Sequence, residues 1–327
     1  MKIKKTILFF IISIFILFSS ISITYVKASA DEYYLGGFPA GFSLNTRGAC
    51  ILGLTDVVTE KGIVSPSKTA GLMKGDVIMS IDGNETNCAF DIEKYTTNQK
   101  TKLLVIKRGD EQLSINIIPA KDMVGKYRLG VFIRDTVNGI GTITYIKNDR
   151  FASLGHPVLD DDGSIIPIVG GNLFLCNVNG CIKGERGKAG ELRGAFVKRN
   201  YIAEIDINCE NGVYGKLNQE GVDEFCIKKV EVGTPKPGNA TIYSTIEGNA
   251  PKEYKISIIK ADCKNGYKNL VIRITDKDLL EKTGGIVQGM SGSPILQNGK
   301  LVGGVTHVFI NDPTRGFGID IKNMQNN

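Results

Sequence analysis

Residues 287–294 read Val-Gln-Gly-Met-Ser-Gly-Ser-Pro, and they are the most informative stretch of the chain. Ser291 lies between Gly289 and Gly292. A serine hydroxyl becomes an effective nucleophile when a base removes its proton and backbone N–H groups can receive the oxyanion. Glycine neighbours permit both, because the backbone can then approach a substrate closely. The stretch predicts a nucleophile loop with the N–H groups of Gly289 and Ser291 as oxyanion donors. The alternative is a Gly/Ser turn between two strands.

The loop resembles the Gly-Asp-Ser-Gly-Gly-Pro loop of trypsin-like proteases, with Met290 and Ser293 as substitutions. Around it, residues 123–327 are rich in glycine and in short β-type runs, such as Ile256-Ser257-Ile258-Ile259, and lack long helical periodicity. Strands that recur at short spacing favour a sandwich or a closed barrel. We therefore expect a mainly β chain whose residues 123–327 form a trypsin-like double β-barrel serine peptidase domain, with residues 233–238 as a connector.

A serine nucleophile needs a base, and the chain contains two histidines. His156 lies far upstream of Ser291 in the sequence, as expected for the His, Asp, Ser order of two-barrel proteases. We therefore predict that His156 is the base. The carboxylate that orients the base has two candidates. The consecutive acids at 160–162 are most simply a solvated turn, whereas Asp276 preserves the order. Asp276 fits equally well as the N-cap of the helical run that follows it, and order alone does not choose.

His307 follows the nucleophile loop, in the run Gly303-Gly304-Val305-Thr306-His307-Val308-Phe309. In two-barrel proteases the strand after this loop forms a wall of the specificity pocket. We therefore predict that His307 lines a specificity pocket. The alternative is a packed or surface histidine on a strand.

The first thirty residues differ from the rest of the chain. Three lysines precede an apolar run at residues 7–26, and Ala28-Ser29-Ala30 resembles a signal-peptidase site. This pattern predicts a signal peptide or signal anchor at residues 1–30 and export of the remainder, with residues 7–26 about long enough to span a bilayer.

Residues 31–122 have the character of a separate module. The stretch Ser65-Pro66-Ser67-Lys68-Thr69-Ala70-Gly71-Leu72-Met73-Lys74-Gly75-Asp76-Val77-Ile78 resembles the signature of bacterial PDZ domains. A PDZ domain binds an extended peptide by strand addition and holds its carboxylate on backbone N–H groups. We predict that the loop containing Gly41, Phe42, Ser43 and Leu44 binds the peptide. The alternative is a module that only packs against its neighbour.

Charge and cysteine content exclude several classes of function. The formal net charge is +6, and it falls to about +2 without the four lysines of the first thirty residues, which is too weak for a nucleic-acid partner. The chain has seven cysteines, of which Cys176 and Cys181 are close enough in sequence to pair, although mostly structural or reduced thiols are favoured. No Cys-x-x-Cys occurs, so we expect no metal and no cofactor.

Several motifs together resemble the SpoIVB peptidase family of endospore formers. They are the PDZ-like module, Leu129-Gly130-Val131-Phe132-Ile133-Arg134-Asp135-Thr136-Val137-Asn138-Gly139-Ile140-Gly141-Thr142, Leu154-Gly155-His156, Gly187-Lys188-Ala189-Gly190-Glu191-Leu192-Arg193-Gly194 and Gly284-Gly285-Ile286-Val287-Gln288-Gly289-Met290-Ser291-Gly292-Ser293-Pro294. The resemblance places the family's serine on Ser291, its histidine on His156 and its proposed aspartate on Asp276.

The resemblance implies a self-cleaving signalling serine endopeptidase of sporulation. Such a protein is exported into the space between the forespore membranes and cuts its own chain and a membrane-bound regulator, which triggers activation of the late mother-cell sigma factor. The alternative function is a secreted PDZ adaptor on a catalytically inactive protease scaffold, which acts by peptide binding alone.

Overall fold

A computed structural model describes residues 32–160, 163–197, 201–261 and 268–325. The predicted signal peptide or anchor at residues 1–30 lies outside these ranges. Within them, no helix has the length and apolar character needed to cross a bilayer.

Short strands dominate the described residues, and this confirms the expected mainly β class. The strands are β1 Tyr33–Leu35, β2 Pro39–Leu54, β3 Val57–Thr59, β4 Gly62–Val64, β5 Val77–Ile81, β6 Asn84–Glu85, β7 Lys102–Arg108, β8 Glu111–Ile117, β9 Ala120–Lys121, β10 Tyr127–Arg128, β11 Val131–Lys147, β12 Arg150–Ser153, β13 Ile168–Ile182, β14 Glu191–Phe196, β15 Ala203–Cys209, β16 Gly212–Leu217, β17 Gly238–Ser244, β18 Lys252–Ala261, β19 Leu270–Ile274, β20 Pro294–Gln297, β21 Lys300–Phe309 and β22 Asp312–Asp320. The helices are α1 Pro66–Thr69, α2 Ala89–Tyr95, α3 Gln219–Phe225, α4 Lys277–Thr283 and α5 Ile321–Met324.

Six strands close into a first barrel. The antiparallel pairs run β2–β11, β11–β12, β12–β16, β16–β15, β15–β13 and β13–β2, so the last strand returns to the first. Alternate side chains point inward and bury an apolar core that includes Phe42, Leu44, Ile143, Phe151 and Leu173. Because the ring is closed, none of its strands has a free edge. The end of β12, from which the chain continues to His156, is therefore held in place by its neighbours.

Strand β2 extends beyond this barrel. Its first half pairs with β13 and β11, whereas residues 49–54 pair with β5 and with the start of β11. Gly48 has a positive φ of 88°, and a Cβ there would lie 2.5 Å from Val77 Cγ1, so only glycine suits this point of the strand. Strand β2 is therefore part of both the first barrel and the sheet that contains β5.

The sheet that contains β5 belongs to a smaller lobe, which we call the side lobe and define as residues 55–130. Strands β5, β7 and β8 extend the sheet from β2, and α1 and α2 cover it over a core that contains Ile78, Ile81, Leu104 and Ile106. Strands β7 and β8 form a hairpin, and β4, α1 and β5 follow one another along residues 62–81, the region of the PDZ-like signature.

A second closed barrel follows the predicted connector at residues 233–238. Its strand order is β17, β18, β19, β22, β21, β20, and the β20–β17 pairing completes the ring. The core includes Ile242, Ile256, Ile272, Ile295 and Val305. Helix α4 and the loop that carries Ser291 lie between β19 and β20, so the nucleophile loop leads directly into this barrel.

The cysteines form no disulfide among the described residues, and Cys263 lies outside them. Cys176 and Cys181 both lie on β13 without being joined. Burial raises the pKa of the Cys176 thiol to about 11, which is consistent with a structural role rather than a reactive one.

Candidate active site

Ser291 lies in a tight turn whose shape depends on its two glycines. Gly289 and Gly292 both have φ of 94°, in the region that favours glycine. A Cβ on Gly292 would lie 2.0 Å from the Thr142 carbonyl oxygen, so the second glycine also permits contact with the first barrel. The Ser291 hydroxyl donates to the Thr306 carbonyl oxygen at 2.8 Å.

Two backbone amides of this turn are available for an anion. The amide of Met290 donates to Val287 O, and that of Gly292 donates to Val305 O. Within the part of the chain that the structure describes, the amides of Gly289 and Ser291 have no acceptor. Preorganised N–H groups of this kind stabilise an oxyanion without further rearrangement.

The first barrel holds this turn in place through Thr142 on β11. The Thr142 amide donates to Ser291 O at 2.9 Å, and its hydroxyl donates to Gly289 O at 2.8 Å. Both carbonyls that flank the oxyanion donors are thereby fixed by one residue of the other barrel. Thr142 is the last residue of the stretch 129–142 that resembles the SpoIVB family, but its residue type does not mark it as a support of the serine turn.

His156 follows β12 through two residues with positive φ, Leu154 and Gly155. A Cβ on Gly155 would lie 2.8 Å from Ile319 Cγ2, so this glycine lets the end of the first barrel pack against the second. His156 Nδ1 lies 2.8 Å from the Pro157 carbonyl oxygen. A carbonyl only accepts, so Nδ1 carries the proton, and Nε2 of the neutral ring is left as an acceptor.

The two histidines of the chain lie together. The rings of His156 and His307 have centroids 4.7 Å apart, at an interplanar angle of 44°. Burial is the main cause that lowers the pKa of His156, the hydrogen bond to Pro157 O opposes it, and nearby Lys268 adds to the lowering. Burial, then His156 and then Lys268 lower the pKa of His307 to about 4. Both rings are therefore neutral at pH 7.

Ser291, His156 and His307 line one cleft of about 520 Å³. The first barrel contributes Val137 and Leu154 to its walls, and the second contributes the residues just before Ser291 and the end of β21. The structure thus brings together Ser291, Gly289, His156 and His307. An unprotonated imidazole nitrogen, a serine hydroxyl and two N–H donors in one cleft are the components of acyl transfer.

Asp276 is not part of this group. Its Oδ1 accepts from the Leu279 amide at 3.1 Å, its Oδ2 accepts from the Lys255 amide at 3.1 Å, and it is the N-cap of α4. It does not line the cleft, and no carboxylate does so among the described residues. The prediction that Asp276 orients His156 therefore needs correction, because the helix start uses its side chain.

The alternative candidates at 160–162 do not replace it. Asp160 forms an ion pair with Arg134 on β11 at 2.8 Å, and the next two acids lie outside the described residues. The orienting contact that the structure provides for His156 is the carbonyl of Pro157.

We expect Asp276→Asn to leave peptide cleavage near the parent rate, because asparagine also caps helices and residue 276 does not line the cleft. Asp276→Ala should lower the free energy of unfolding by about 1 kcal/mol through loss of the cap. Steady-state kinetics and denaturant unfolding measure the two effects. A loss of about 10⁴-fold in kcat for Asp276→Asn would instead identify the orienting acid of a triad.

The predicted peptide-binding loop is wrong. Gly41, Phe42, Ser43 and Leu44 lie inside β2, where they pair with β11 on one side and with β13 on the other. Phe42 and Leu44 are buried in the first barrel. A strand with both edges paired has no free N–H groups for a peptide.

A second cavity, of about 440 Å³, lies elsewhere, between residues 129–133 and α2. We call it the lobe groove. Its apolar lining includes Ile92, Val131 and Ile133. The motif Leu129-Gly130-Val131, which is visible in the sequence, lies at its entrance.

The chain is similar to several known proteins. A family model described as SpoIVB peptidase S55 matches residues 125–325. Serine protease HTRA1 of Xenopus tropicalis is 35% identical over 79 residues, and that of Xenopus laevis is 32% identical over 78 residues. Each match covers 24% of this chain and 16% of the relative, so the chain spans only about a sixth of these proteins. Among solved structures, the inactive form of Rv3671c protease matches with a TM-score of 0.33 and 14% identity, over 57% of this chain and 81% of the other.

Proposed function

The chain belongs to the SpoIVB peptidase S55 family, and we propose that it is a serine endopeptidase with Ser291 as nucleophile and His156 as general base. One observation carries the proposal. The serine, the imidazole and the two amides without acceptors meet in one cleft between the barrels. Family membership gives the reaction class, and the cleft supplies the groups that this reaction needs.

In the proposed mechanism the Ser291 hydroxyl rotates from Thr306 O towards His156. Nε2 takes its proton as Oγ forms a bond to the peptide carbonyl carbon, and the oxyanion is received by the N–H groups of Gly289 and Ser291. Collapse breaks the C–N bond, and His156 returns the proton to the leaving amine. Water then hydrolyses the acyl-enzyme by the same route.

Pro157 takes the part that a carboxylate usually has. Its carbonyl accepts the Nδ1 proton and so keeps the tautomer in which Nε2 is basic. The lowered pKa of His156 keeps the ring in this unprotonated form at neutral pH.

A peptidyl phosphonate tests the proposal, since it reacts only with an activated serine hydroxyl. Mass spectrometry should find the adduct on Ser291 of the full chain. A protein that never reacts would favour the binding-only adaptor, which is the competing function.

We also propose the sporulation role that the family resemblance implies. In it, the protein is exported across the forespore membrane, cleaves its own chain and cuts a membrane-bound regulator. The lysine-flanked apolar run at residues 7–26 supports export. Mass spectrometry of the exported protein's N-terminus, with and without Ser291, tests self-cleavage, and an identical N-terminus in both would contradict it.

A second proposed function is peptide binding by the side lobe, which we interpret as a PDZ domain. Residues 131–133 of β11 pair only with β2 among the described strands, so their other edge faces the lobe groove and α2. Gly130 O accepts from Thr55 N and from Ser67 Oγ and thereby fixes the turn at the entrance. An extended peptide with an apolar end fits this edge by strand addition.

Alternation along β11 gives a matched pair of variants for this binding. Ile133 lines the lobe groove, whereas its neighbour Phe132 is 62% exposed and does not line it. We expect Ile133→Gln to weaken peptide binding by about tenfold or more, because it removes apolar contact, and Phe132→Gln to leave it unchanged. Fluorescence polarisation with labelled peptides that end in valine measures both. Equal effects of the two variants would place the peptide elsewhere.

A further inference from the structure

The cleft around Ser291 contains no aspartate, glutamate, lysine or arginine among the described residues that line it. Its titratable groups are His156 and His307, and burial lowers the pKa of both. At neutral pH the described walls of the cleft therefore carry no formal charge.

The walls nearest the nucleophile are apolar. Ile286 and Val287, just before the nucleophile turn, are 2% and 1% exposed and form a packed floor. Val308 and Thr306, on β21, line the same cleft, and Val308 also packs against the apolar cluster that contains Ile286 and Val287. A peptide whose carbonyl oxygen points at the amides of Gly289 and Ser291 would place its preceding side chain between these two segments.

From this arrangement we infer that the cleft selects an uncharged, apolar residue immediately before the scissile bond, with Val308 as a wall of that subsite. The inference rests on the proposed function and adds its substrate class. A charged side chain would be desolvated there, and no described residue that lines the cleft supplies an opposite charge, so its burial is strongly unfavourable. An aliphatic side chain would gain contact with the floor at residues 286–287.

Active-site labelling tests the inference with four diphenyl phosphonates on the full chain. They share one peptide leader and differ only in the side chain next to phosphorus, which is that of valine, leucine, lysine or glutamate. In each reaction Ser291 Oγ forms a bond to phosphorus, phenoxide leaves, and the serine proton passes through His156 to the phenol. We expect the aliphatic probes to react on the order of 100-fold faster than the charged ones. A lysine or glutamate probe that reacts as fast as the valine probe would overturn the inference.

A charge placed in the cleft provides the complementary test. Val308→Asp should accelerate labelling by the lysine probe by about tenfold, because the new carboxylate pairs with the ammonium group. Asn298→Asp adds the same charge on the exposed β20–β21 turn, outside the cleft, and should change nothing. Labelling of Val308→Asp by the valine probe shows that this variant is folded. Equal lysine-probe rates in the two variants would exclude Val308 from the subsite.

The four probes distinguish a failure of the proposed peptidase function from a failure of the proposed substrate class. If none of the four probes reacts with the parent protein, the proposed peptidase function is wrong and the inference falls with it. If the probes react without preference for apolar side chains, the peptidase stands and only the substrate class is wrong.

Discussion

Ser291→Ala is expected to reduce peptide cleavage to background, a loss on the order of 10⁶-fold in kcat. The substitution removes the only atom that forms the acyl bond and leaves the two amides and the cleft walls in place. The hydroxyl makes one hydrogen bond, to Thr306 O, so the free energy of unfolding should change by no more than about 1 kcal/mol. Cleavage of an unstructured peptide, followed by mass spectrometry, measures the loss, and denaturant unfolding measures the stability.

Ser114→Ala is the matched control, since Ser114 is an exposed serine on β8 in the side lobe. It should keep both the cleavage rate and the phosphonate adduct. A Ser291→Ala protein that still cleaves peptides after purification would place the nucleophile on another residue.

A fragment comprising residues 123–327 is expected not to fold cooperatively, although it contains all of the region, residues 125–325, that the family model matches. It lacks β2, which lies between β11 and β13 and closes the first barrel. Without β2, both neighbours become open edges, and the apolar side chains around Phe42 and Leu44 lose their partners. Circular dichroism during thermal unfolding would show a broad transition or none.

The control for this fragment keeps β2 and omits the side lobe. Leu54 and Val131 are opposite each other in the β2–β11 pair, so an Asn-Gly turn in place of residues 55–130 would join them as a hairpin. This variant should retain a sharp unfolding transition. A fragment of 123–327 that unfolds as sharply as the control would show that β2 is dispensable.

The local patterns of the sequence predict the strands well. They also single out Ser291 and His156, which the structure brings into one cleft. Glycine on both sides of Ser291 is needed for the turn itself, and the placement of His156 beside it follows the expected chain order. These features are short-range or depend on composition. Features of this kind can be predicted without knowing which distant strands pair.

The glycines of β2 show what local sequence patterns do not predict. Gly41 looks like part of a flexible loop, yet a Cβ there would lie 2.5 Å from the Phe196 ring, so it permits close packing within a sheet. Only the pairing of β2 with two distant strands reveals this. The edge that we propose for peptide binding, at residues 131–133, lies far along the chain from the predicted loop.

Asp276 shows a different limit. An aspartate before a helical run satisfies both a triad order and a helix cap, and the sequence contains nothing to separate them. The amides of Lys255 and Leu279 decide the matter, and the first belongs to a strand of the second barrel. The contact between the Pro157 carbonyl and His156 could not be predicted from the sequence either, because every residue has a backbone carbonyl.

Thr142 has a consequence for the packing of the two barrels. The backbone of the serine turn belongs to the later half of the chain, yet its carbonyls are anchored by a threonine from the earlier half. Until the two barrels pack against each other, the serine turn would therefore lack the hydrogen bonds that fix its shape. The proposed catalysis would then depend on the packing of the two barrels and not on the second barrel alone.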